Sequence, residues 1–366
     1  MRRRLLQTAA ARAPRVAIYP GDGIGVDVTD ATLRLLEHAQ SQHNFALETT
    51  VFDWNSSSYA DANSGRCAPD DMIDILRPFD AIFLGAVGWP AARPDHETLE
   101  PLIRMRQAYS QFACVRPART YHGVPTPLAS GAPVDMVVVR ENSEGEYVHV
   151  GGRVARGTPD EVAVQTAVHT RRGVERVLRY GIEAARERRG KLTLVTKSNA
   201  QRFGMAMWED VLAELDCSGV EVDVQHVDAC CMNFVRRPES FDVVVASNLF
   251  GDILTDLSGA VTGSLGLNPS ANLDPTRANP SLFEPVHGSA PDIAGKGVAN
   301  PVGAFLSAAS MLEWLAPSGV PPAAGAAIRR AVEESLAARE STADAGGVLG
   351  TSEVTEAVMR TTGSRI

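Results

Sequence analysis

Two acidic residues in the segment Asn248–Asp256 (NLFGDILTD) have the spacing of a metal site. Asp252 and Asp256 stand four residues apart. On a helix this spacing places both carboxylates on one face, about 5–6 Å apart at Cβ. Like charges at that distance destabilise an isolated helix, so a cation is expected to neutralise them. Because carboxylate oxygens are hard ligands, the segment predicts a site for Mg²⁺ or Mn²⁺ and disfavours zinc.

A second segment, Phe283–Pro301 (FEPVHGSAPDIAGKGVANP), is rich in glycine and proline and carries His287 and Asp292. Glycine lets a backbone approach a ligand closely, so we expect a ligand-binding loop. A metal site and a ligand loop so near in sequence indicate a metal-assisted enzyme. The turn Gly21–Gly25 (GDGIG) matches a dinucleotide fingerprint only weakly, because its spacing is G-x-G-x-G. We therefore interpret it as a tight strand-to-helix turn.

Three arginines are candidates for binding carboxylate groups. Arg106 and Arg116 stand ten residues apart, and Arg140 follows a predicted strand. Guanidinium groups pair bidentately with carboxylates, so three that converge would suit a di- or tricarboxylate. Taken singly, each is more often a surface or ion-paired arginine.

Tyr147 and Lys197 are candidates for proton transfer. A tyrosine in a loop of charged and glycine residues could donate a proton, although a lone tyrosine is usually structural. Lys197 follows an apolar strand, and partial burial there would favour the neutral amine, which is a base. The alternative is a lysine that extends to solvent. Asp228 ends the strand-like segment 221–228 and is either a third metal carboxylate or a helix N-cap.

Composition disfavours several classes of protein. The 366 residues have a formal net charge of −9, which gives nucleic-acid binding no electrostatic support. No apolar run approaches the roughly 18 residues of a membrane-spanning helix. The five cysteines form no CxxC pair, which argues against a zinc or redox site and predicts a cytoplasmic protein. Residues 1–14 are basic and are predicted to be a disordered leader, the alternative being a transit peptide.

Apolar strands alternate with long helical segments, which predicts an α/β fold with a buried, mostly parallel sheet. Functional side chains are expected just beyond the carboxyl ends of the strands, where Arg140, Lys197 and Asn248 lie. The predicted strands are 15–19, 80–84, 135–139, 192–195 and 243–246, and the main predicted helices are 26–39, 172–189 and 204–215.

Taken together, these residues resemble the metal-dependent β-decarboxylating dehydrogenases, the family of the isocitrate, isopropylmalate, and tartrate/D-malate enzymes. The resemblance runs from Arg15 to about Leu315, with its motifs in the family's order. RENSEGEY and GAVGWP are most similar to the tartrate/D-malate branch. The motifs are GDGIG, DAIFLGAVGWP, the Arg106/Arg116 pair, RENSEGEY, VTKSNAQRFGMAMW, VDACCMNF, NLFGDILTDL and FEPVHGSAPDIAGKGVANP.

This resemblance implies an isopropylmalate dehydrogenase-like two-domain α/β fold with a mixed, largely parallel sheet, different from a standard Rossmann fold. Residues 15–112 and 262–366 would form a discontinuous cofactor-binding domain. Residues 113–261 would form a dimerisation and substrate/metal domain. The resemblance also implies a homodimer at minimum, because each active site in the family takes residues from both chains.

The resemblance assigns roles to the candidate residues. The catalytic acid–base pair would be Tyr147 and the second chain's Lys197. The substrate-binding residues would be Arg106, Arg116, Arg140 and Asp228. The metal, Mn²⁺ or Mg²⁺, would be held by Asp252 and Asp256 together with Asp228 from the second chain. The cofactor-binding residues, all in the late loop, would be His287, Gly288, Ser289, Ala290, Asp292, Ile293 and Asn300.

Asp292, followed by Ile293, predicts the coenzyme. A carboxylate accepts hydrogen bonds from a ribose 2′-hydroxyl but repels a 2′-phosphate. NADP-using relatives carry Lys and Tyr at this point, so NAD is expected. A requirement for a monovalent cation is left open.

The predicted reaction is the NAD-dependent oxidation of a small 2-hydroxy dicarboxylate, D-malate or a tartrate, with β-decarboxylation where the substrate allows. Leu99 stands where the tartrate/D-malate branch has Trp, and with Leu102 and Ile103 it could make the pocket apolar enough for 3-isopropylmalate. Isocitrate is the third alternative. A non-catalytic regulatory subunit is disfavoured, because Tyr147, Lys197 and the metal aspartates are all present.

Overall fold

The computed structural model describes residues 12–362. Of the leader predicted over residues 1–14, residues 1–11 lie outside the described part of the chain. Arg12 is described, and it forms an ion pair with Asp80 at 2.7 Å. Asp80 also accepts a hydrogen bond from the backbone nitrogen of Arg15 at 2.7 Å. The end of the predicted leader is therefore tied to the start of the first strand.

A ten-stranded mixed sheet forms the centre of the molecule. The strands are β1 Arg15–Gly21, β2 Glu48–Val51, β3 Ala81–Ala86, β4 Ala113–Arg119, β5 Asp135–Glu141, β6 Gly151–Val154, β7 Val162–Gln165, β8 Lys191–Thr196, β9 Glu221–His226, β10 Val243–Ala246, β11 Pro269–Leu273 and β12 Ser281–Pro285. Their order in the sheet is β2-β1-β3-β12-β11-β4-β5-β10-β8-β9, and β6 and β7 form a separate hairpin. β11 is antiparallel to β12 and β4, and β4 is antiparallel to β5, whereas the other neighbouring pairs are parallel. The predicted mixed, largely parallel sheet is confirmed.

Helices connect the strands. They are α1 Ile24–His43, α2 Ser58–Ala62, α3 Met72–Leu76, α4 Asp95–Thr98, α5 Glu100–Ala108, α6 Arg171–Arg186, α7 Gly204–Glu214, α8 Val227–Arg236, α9 Asn248–Thr262, α10 Val302–Trp314, α11 Pro322–Ala337 and α12 Thr351–Thr362. Between residues 12 and 362, none of these helices has the length and apolar character that crossing a bilayer requires.

The two predicted domains occupy separate halves of the sheet. Residues 15–112 and 262–366 contribute β1–β3, β11 and β12, and residues 113–261 contribute β4, β5 and β8–β10. The halves meet where β11 pairs with β4. The division into domains stays a prediction, and the strand order is compatible with it.

The carboxyl ends of four parallel strands lie side by side at one edge, in the order β5, β10, β8, β9. All four residues of β10 are buried, as expected for a strand covered on both faces. Arg140, Asn248 and Lys197 lie at the ends of the first three strands. Since neighbouring strands are spaced by about 4.8 Å, roughly 10 Å separates the ends of β5 and β8. The edge therefore brings the polar residues into one region without placing them all in contact.

The predicted helices are confirmed with shifted ends, but Asp228 neither ends a strand nor caps a helix, and its role as a metal ligand stays a prediction. β9 ends at His226, and Asp228 lies in the first turn of α8. His226, and not Asp228, occupies the N-cap position, where no side chain caps the helix. A negative charge in a first turn is favourable toward the helix dipole, which explains why an acidic residue is tolerated there.

Candidate active site

A cavity of about 140 Å³ lies where the two halves of the sheet meet. Its polar wall comes from both halves, and its apolar wall includes the loop that precedes α5. Three predicted arginines, a predicted acid and a predicted metal ligand therefore surround one space. The lining residues that matter here are Arg106, Arg116, Arg140, Tyr147, Asp252, Glu284 and His287, with Leu99 and Leu102 on the apolar side.

Arg140 is almost completely buried at the end of β5. Its Nε and Nη2 donate to Asn248 Oδ1 at 2.9 and 2.7 Å, and its Nη1 pairs with Asp252 Oδ1. A Cβ added at Gly251 would lie 2.7 Å from the Cβ and Cγ atoms of Arg140, so only glycine lets α9 pass this close. The first turn of α9 thus fixes the direction of the guanidinium group.

Arg116 reaches the same aspartate from the neighbouring strand β4. Its Nη1 donates to Asp252 Oδ1 at 3.1 Å and to Thr255 Oγ1 at 2.8 Å, and its Nε donates to Ser270 Oγ at 3.3 Å. Arg106 approaches from α5 and donates to Glu284 at 3.3 Å. These three arginines form a cationic wall that could bind carboxylate groups.

Tyr147 also lines the cavity and contacts Asp252 directly. Its hydroxyl donates to Asp252 Oδ2 at 2.9 Å, and the guanidinium of Arg140 lies over its ring at 5.3 Å. Burial, with the charge of Asp252, raises the pKa of Tyr147. The phenol is therefore held in its neutral form, which is the form that can donate a proton.

The loop that carries Tyr147 is anchored by a buried carboxylate. Glu141, at the end of β5, accepts hydrogen bonds from the backbone nitrogens of Ser143 and Glu144, at 3.1 and 2.8 Å. Arg176 of α6 lies 3.5 Å from the same carboxylate. Burial raises the pKa of Glu141, and the hydrogen bonds from the loop oppose that rise. This anchor holds the loop close to the end of β5.

Asp252 and Asp256 lie on α9 at the predicted spacing. Burial opposes ionisation of Asp252, but Arg140, Arg116 and the hydrogen bond from Tyr147 outweigh it and lower the pKa of Asp252 to about 2. Partial desolvation, followed by the charge of Asp252, raises the pKa of Asp256. Within residues 12–362, Asp256 has neither a hydrogen bond nor an ion pair through its carboxylate. Two adjacent carboxylates, one of them unpartnered, fit a divalent cation that prefers oxygen ligands.

One chain supplies only part of a metal site. In the described range, no three His, Cys, Asp or Glu side chains are grouped as ligands. Asp228 pairs instead with Lys197, whose Nζ lies 2.5 Å from Asp228 Oδ1. The Lys197 side chain is 26% exposed and that of Asp228 68% exposed. Neither residue contacts the arginine cavity within this part of the chain, so the structure does not bring them together with Asp252.

The turn GDGIG supports the late loop. A Cβ at Gly23, where φ is 57°, would lie 2.0 Å from the Ser289 carbonyl oxygen, which accepts a hydrogen bond from the nitrogen of Ile24 at 2.8 Å. The carboxylate of Asp22 accepts from the nitrogens of Ser56 and Gly88, each at 2.8 Å. The segment joins the end of β1 to the start of α1, and the nitrogens of Asp22, Ile24 and Gly25 donate to protein carbonyl oxygens, as expected of a tight strand-to-helix turn.

The predicted cofactor residues lie in different environments. His287 and Gly288 line the cavity, and the buried Nε2 of His287 has no hydrogen-bond partner in the described structure. Burial lowers the pKa of His287 and keeps its ring neutral. Asp292 is exposed, farther along the loop. The side chain of Asn300 is already bonded, donating to Asp344 at 2.9 Å and accepting from the nitrogen of Val302 at 3.0 Å.

Sequence reasoning did not single out Glu284 as part of the cavity. Its carboxylate accepts from Arg106 and, at 2.8 Å, from Asn272, which in turn accepts from Asn142 at 2.7 Å. This buried chain of polar groups crosses the junction between the two halves of the sheet. A buried acid in FEPVHG could have been inferred from the need to neutralise a buried arginine, but nothing in the sequence pairs it with Arg106.

Residues 15–358 match the family described as isocitrate/isopropylmalate dehydrogenase. The chain belongs to this family. It is therefore an enzyme of the oxidative, decarboxylating dehydrogenase type, as the sequence motifs predict.

Relatives with known names refine the position within the family. The chain is 46% identical to the decarboxylating D-malate dehydrogenase of Escherichia coli, over 94% of this chain and 98% of that protein. It is 44% identical to the tartrate dehydrogenase/decarboxylase of Pseudomonas putida, over 96% and 98%. The isocitrate dehydrogenase of Methylococcus capsulatus has the same fold, with a TM-score of 0.85, 33% identity and coverage of 96% of this chain and 100% of that one. The resemblance to the tartrate/D-malate branch is confirmed.

Proposed function

We propose that the protein oxidises D-malate or a tartrate with NAD and a divalent cation. Where the substrate allows β-decarboxylation, the oxidised product would also lose CO₂. The observation that carries this proposal is the convergence of Arg106, Arg116 and Arg140 with Tyr147 and Asp252 around one cavity. Three guanidinium groups suit a compact dicarboxylate, because each can bind a carboxylate through paired hydrogen bonds.

In the proposed reaction, the arginines bind the substrate, and Lys197 and Tyr147 each transfer one proton. The arginines would orient the two carboxylates of the substrate. Lys197 of a second copy would accept the hydroxyl proton as hydride leaves for the nicotinamide. Tyr147, kept neutral by burial, would protonate the carbon from which CO₂ has departed. A divalent cation held by Asp252 and Asp256 would supply Lewis-acid stabilisation of the negative charge that develops on oxygen.

The incompleteness of one chain supports the proposal of a homodimer, because Lys197 and Asp228 lie away from the cavity of their own chain. Exposed apolar residues support such a dimer, including Met232 and Val235 of α8 and Ile253 beside Asp252. Ile253 lies next in sequence to Asp252, one of the proposed metal ligands. The hairpin β6–β7 is also exposed along its whole length, which an isolated two-stranded sheet tolerates poorly.

The coenzyme would be NAD, bound by the late loop. His287, Gly288, Ser289, Ala290 and Ile293 would surround the adenosine, and Asn300 would hold the end of the loop in place. Asp292 is exposed and could accept hydrogen bonds from a ribose 2′-hydroxyl, whereas a 2′-phosphate would meet its negative charge. All five cysteines are free thiols, which fits work in a reducing cytoplasm.

One observation favours 3-isopropylmalate as a second candidate. Leu99 and Leu102 line the cavity, and Leu99 and Ile103 also line an adjoining space of about 450 Å³. An alkyl group could enter that space. An added alkyl group in an apolar pocket discriminates by only about 1–3 kcal/mol, so the pocket alone does not exclude the smaller malate.

Formation of NADH or NADPH should be measured with D-malate, the tartrates, 3-isopropylmalate and isocitrate, each with NAD or NADP and Mn²⁺. The proposal predicts the highest kcat/KM for D-malate or a tartrate with NAD. If 3-isopropylmalate exceeds D-malate by more than roughly a hundredfold in kcat/KM, the substrate assignment is wrong and the leucine wall selects the substrate. Absence of both NADH and NADPH with all four substrates would contradict the proposed reaction itself.

A further inference from the structure

Asn248 is a buried amide at the start of α9 whose polar groups are all engaged. Its Oδ1 accepts from Nε and Nη2 of Arg140, and its Nδ2 donates to the carbonyl oxygen of Glu144 at 2.9 Å. Glu144 stands three residues before Tyr147. One side chain therefore bonds both to an arginine of the cavity and to the loop that carries the proton donor.

The contact with Arg140 fixes the orientation of that arginine. Because Asn248 occupies the Nε–Nη2 edge of the guanidinium, Nη1 is directed toward Asp252. The neutral amide oxygen accepts two hydrogen bonds without neutralising the positive charge. The arginine therefore keeps its charge available for a substrate carboxylate, which a carboxylate at position 248 would weaken.

The contact with Glu144 fixes the position of the loop. Gly145, at φ 79°, passes so close that a Cβ there would lie 3.1 Å from the Cβ of Asn248. The loop is held on its other side by the hydrogen bonds between Gly145 and Val168, at 2.8 and 3.1 Å. Movement of Asn248 would consequently shift the backbone that leads to Tyr147.

We propose that Asn248 is a positioning residue that couples the binding of a substrate carboxylate by Arg140 to the placement of Tyr147. This inference rests on the proposed function, since it assigns Arg140 to substrate binding and Tyr147 to proton donation. Asn248 itself touches neither the reacting atoms nor the coenzyme in this account. It acts through the two residues that do.

Two substitutions test the two contacts in different ways. Asn248→Asp keeps an oxygen for Arg140 but replaces the donor to Glu144 with an atom that repels its carbonyl. Asn248→Leu removes both contacts at similar size. We expect kcat to fall by about 10²-fold in both variants, because the proton donor is misplaced. KM for the substrate should rise by tenfold or more in both variants. Asn248→Leu removes hydrogen bonds to a charged group, and the carboxylate of Asn248→Asp competes with the substrate for the charge of Arg140.

Gln40→Met is the matched control. The Gln40 amide also joins two segments, accepting from the nitrogen of Leu47 at 2.7 Å and donating to the carbonyl of Leu36 at 3.3 Å, but it lies on α1 away from the cavity. The Gln40→Met substitution should lower the melting temperature and leave kcat and KM unchanged.

The assays should use the substrate that the unmodified enzyme converts fastest, with substrate binding measured in parallel by calorimetry. A merely structural role would give a different result. KM would then be the same in Asn248→Asp, Asn248→Leu and the unmodified enzyme, and kcat would fall only in proportion to the folded fraction. If Asn248→Leu does not fold, unchanged kcat in Asn248→Asp overturns the coupling on its own. An unmodified enzyme inactive on every 2-hydroxy acid would instead count against the proposed function.

Discussion

The arginine cavity and the Lys197–Asp228 pair differ in how completely one chain organises them. Around the cavity, Arg116, Arg140 and Tyr147 all bond to Asp252. Lys197 and Asp228 bond only to each other among the side chains of residues 12–362, and Asp228 is largely exposed. One chain thus fixes the positions of the arginines that would orient a dicarboxylate and of the tyrosine that would donate a proton. Lys197 and Asp228, the proposed base and the proposed third metal ligand, lie outside this cavity.

The energetics of the two regions explain this difference. An exposed ion pair contributes only about 0–1 kcal/mol, so Lys197 and Asp228 can exchange partners at little cost. Removing one member of a buried charged network leaves the others desolvated and unpaired, which is strongly unfavourable. The cavity therefore keeps its geometry, while the exposed pair is free to join a second copy.

Removing the charge of Asp252 should produce the largest effect. Asp252→Asn nearly keeps the shape of the side chain but removes the charge of one proposed metal ligand, which is also the partner of two arginines. We expect kcat to fall on the order of 10³-fold, as when a group that stabilises developing charge is lost. Steady-state rates at several Mn²⁺ concentrations test this. Asp216→Asn, at an exposed carboxylate on the surface, is the control and should keep full activity. Normal activity with normal Mn²⁺ dependence in Asp252→Asn would remove this residue from the metal site.

Lys197→Met should have the next largest effect. Losing a general base costs about 10²–10⁴-fold in turnover, whereas substrate binding by the arginines should persist. Lys191→Met is the matched control, because Lys191 has similar exposure and pairs with Glu221 at 3.5 Å. Rates and substrate dissociation constants should be measured for both variants. A loss of the same size in both would mean that Lys197 acts only through a surface ion pair.

Asp292→Lys should have a moderate effect that is confined to the coenzyme. Reversing the charge removes the repulsion of a 2′-phosphate and provides a cation to bind it. We expect the ratio of kcat/KM for NAD to that for NADP to fall by tenfold or more, about the change that a charge-assisted hydrogen bond supplies. Asp30→Lys, on the exposed face of α1, should leave the ratio unchanged. Equal use of both coenzymes by the unmodified enzyme would show that Asp292 does not select between them.

The smallest effect concerns pH. The pKa of Tyr147 is raised above its ordinary value of about 10, so the phenol stays protonated throughout the neutral and mildly alkaline range. Because the protonated form is the donor, activity that depends on Tyr147 should be retained as pH rises and lost only above about pH 10. A pH profile of kcat, compared with that of Tyr147→Phe, tests this. If kcat of the unmodified enzyme falls near pH 8 and that fall is absent in Tyr147→Phe, the phenol ionises more easily than this prediction requires.

Site residues were predictable from the sequence where their arrangement depends on a single helix or strand. The spacing of Asp252 and Asp256 needs only a helix, and α9 provides it. Asp228 was misplaced because the alternation of EVDVQHVD continues past the point where the chain turns into α8. A pattern with a period of two does not reveal the residue at which a strand stops.

Contacts between distant segments were not predictable in the same way. Glu284 and Arg106 are 178 residues apart, and their pairing depends on β12 and α5 meeting across the sheet. β4 contains Pro117 and β12 ends in Pro285, which weakens the strand signal of each segment. The roles of Asn248 and Asn272 follow only from the tertiary arrangement that these strands create.

The activity of mixed dimers tests most directly whether the two regions come from different chains. Asp252→Asn and Lys197→Met chains, each with its own affinity tag, can be coexpressed and the heterodimer purified. If each site combines the cavity of one chain with Lys197 of the other, one of the two sites receives both changes and the other receives neither. The heterodimer should then show about half the kcat of the unmodified dimer, although both homodimeric variants are inactive. If each site lies within a single chain, every site carries one change, and a heterodimer as inactive as its parents would contradict the shared site.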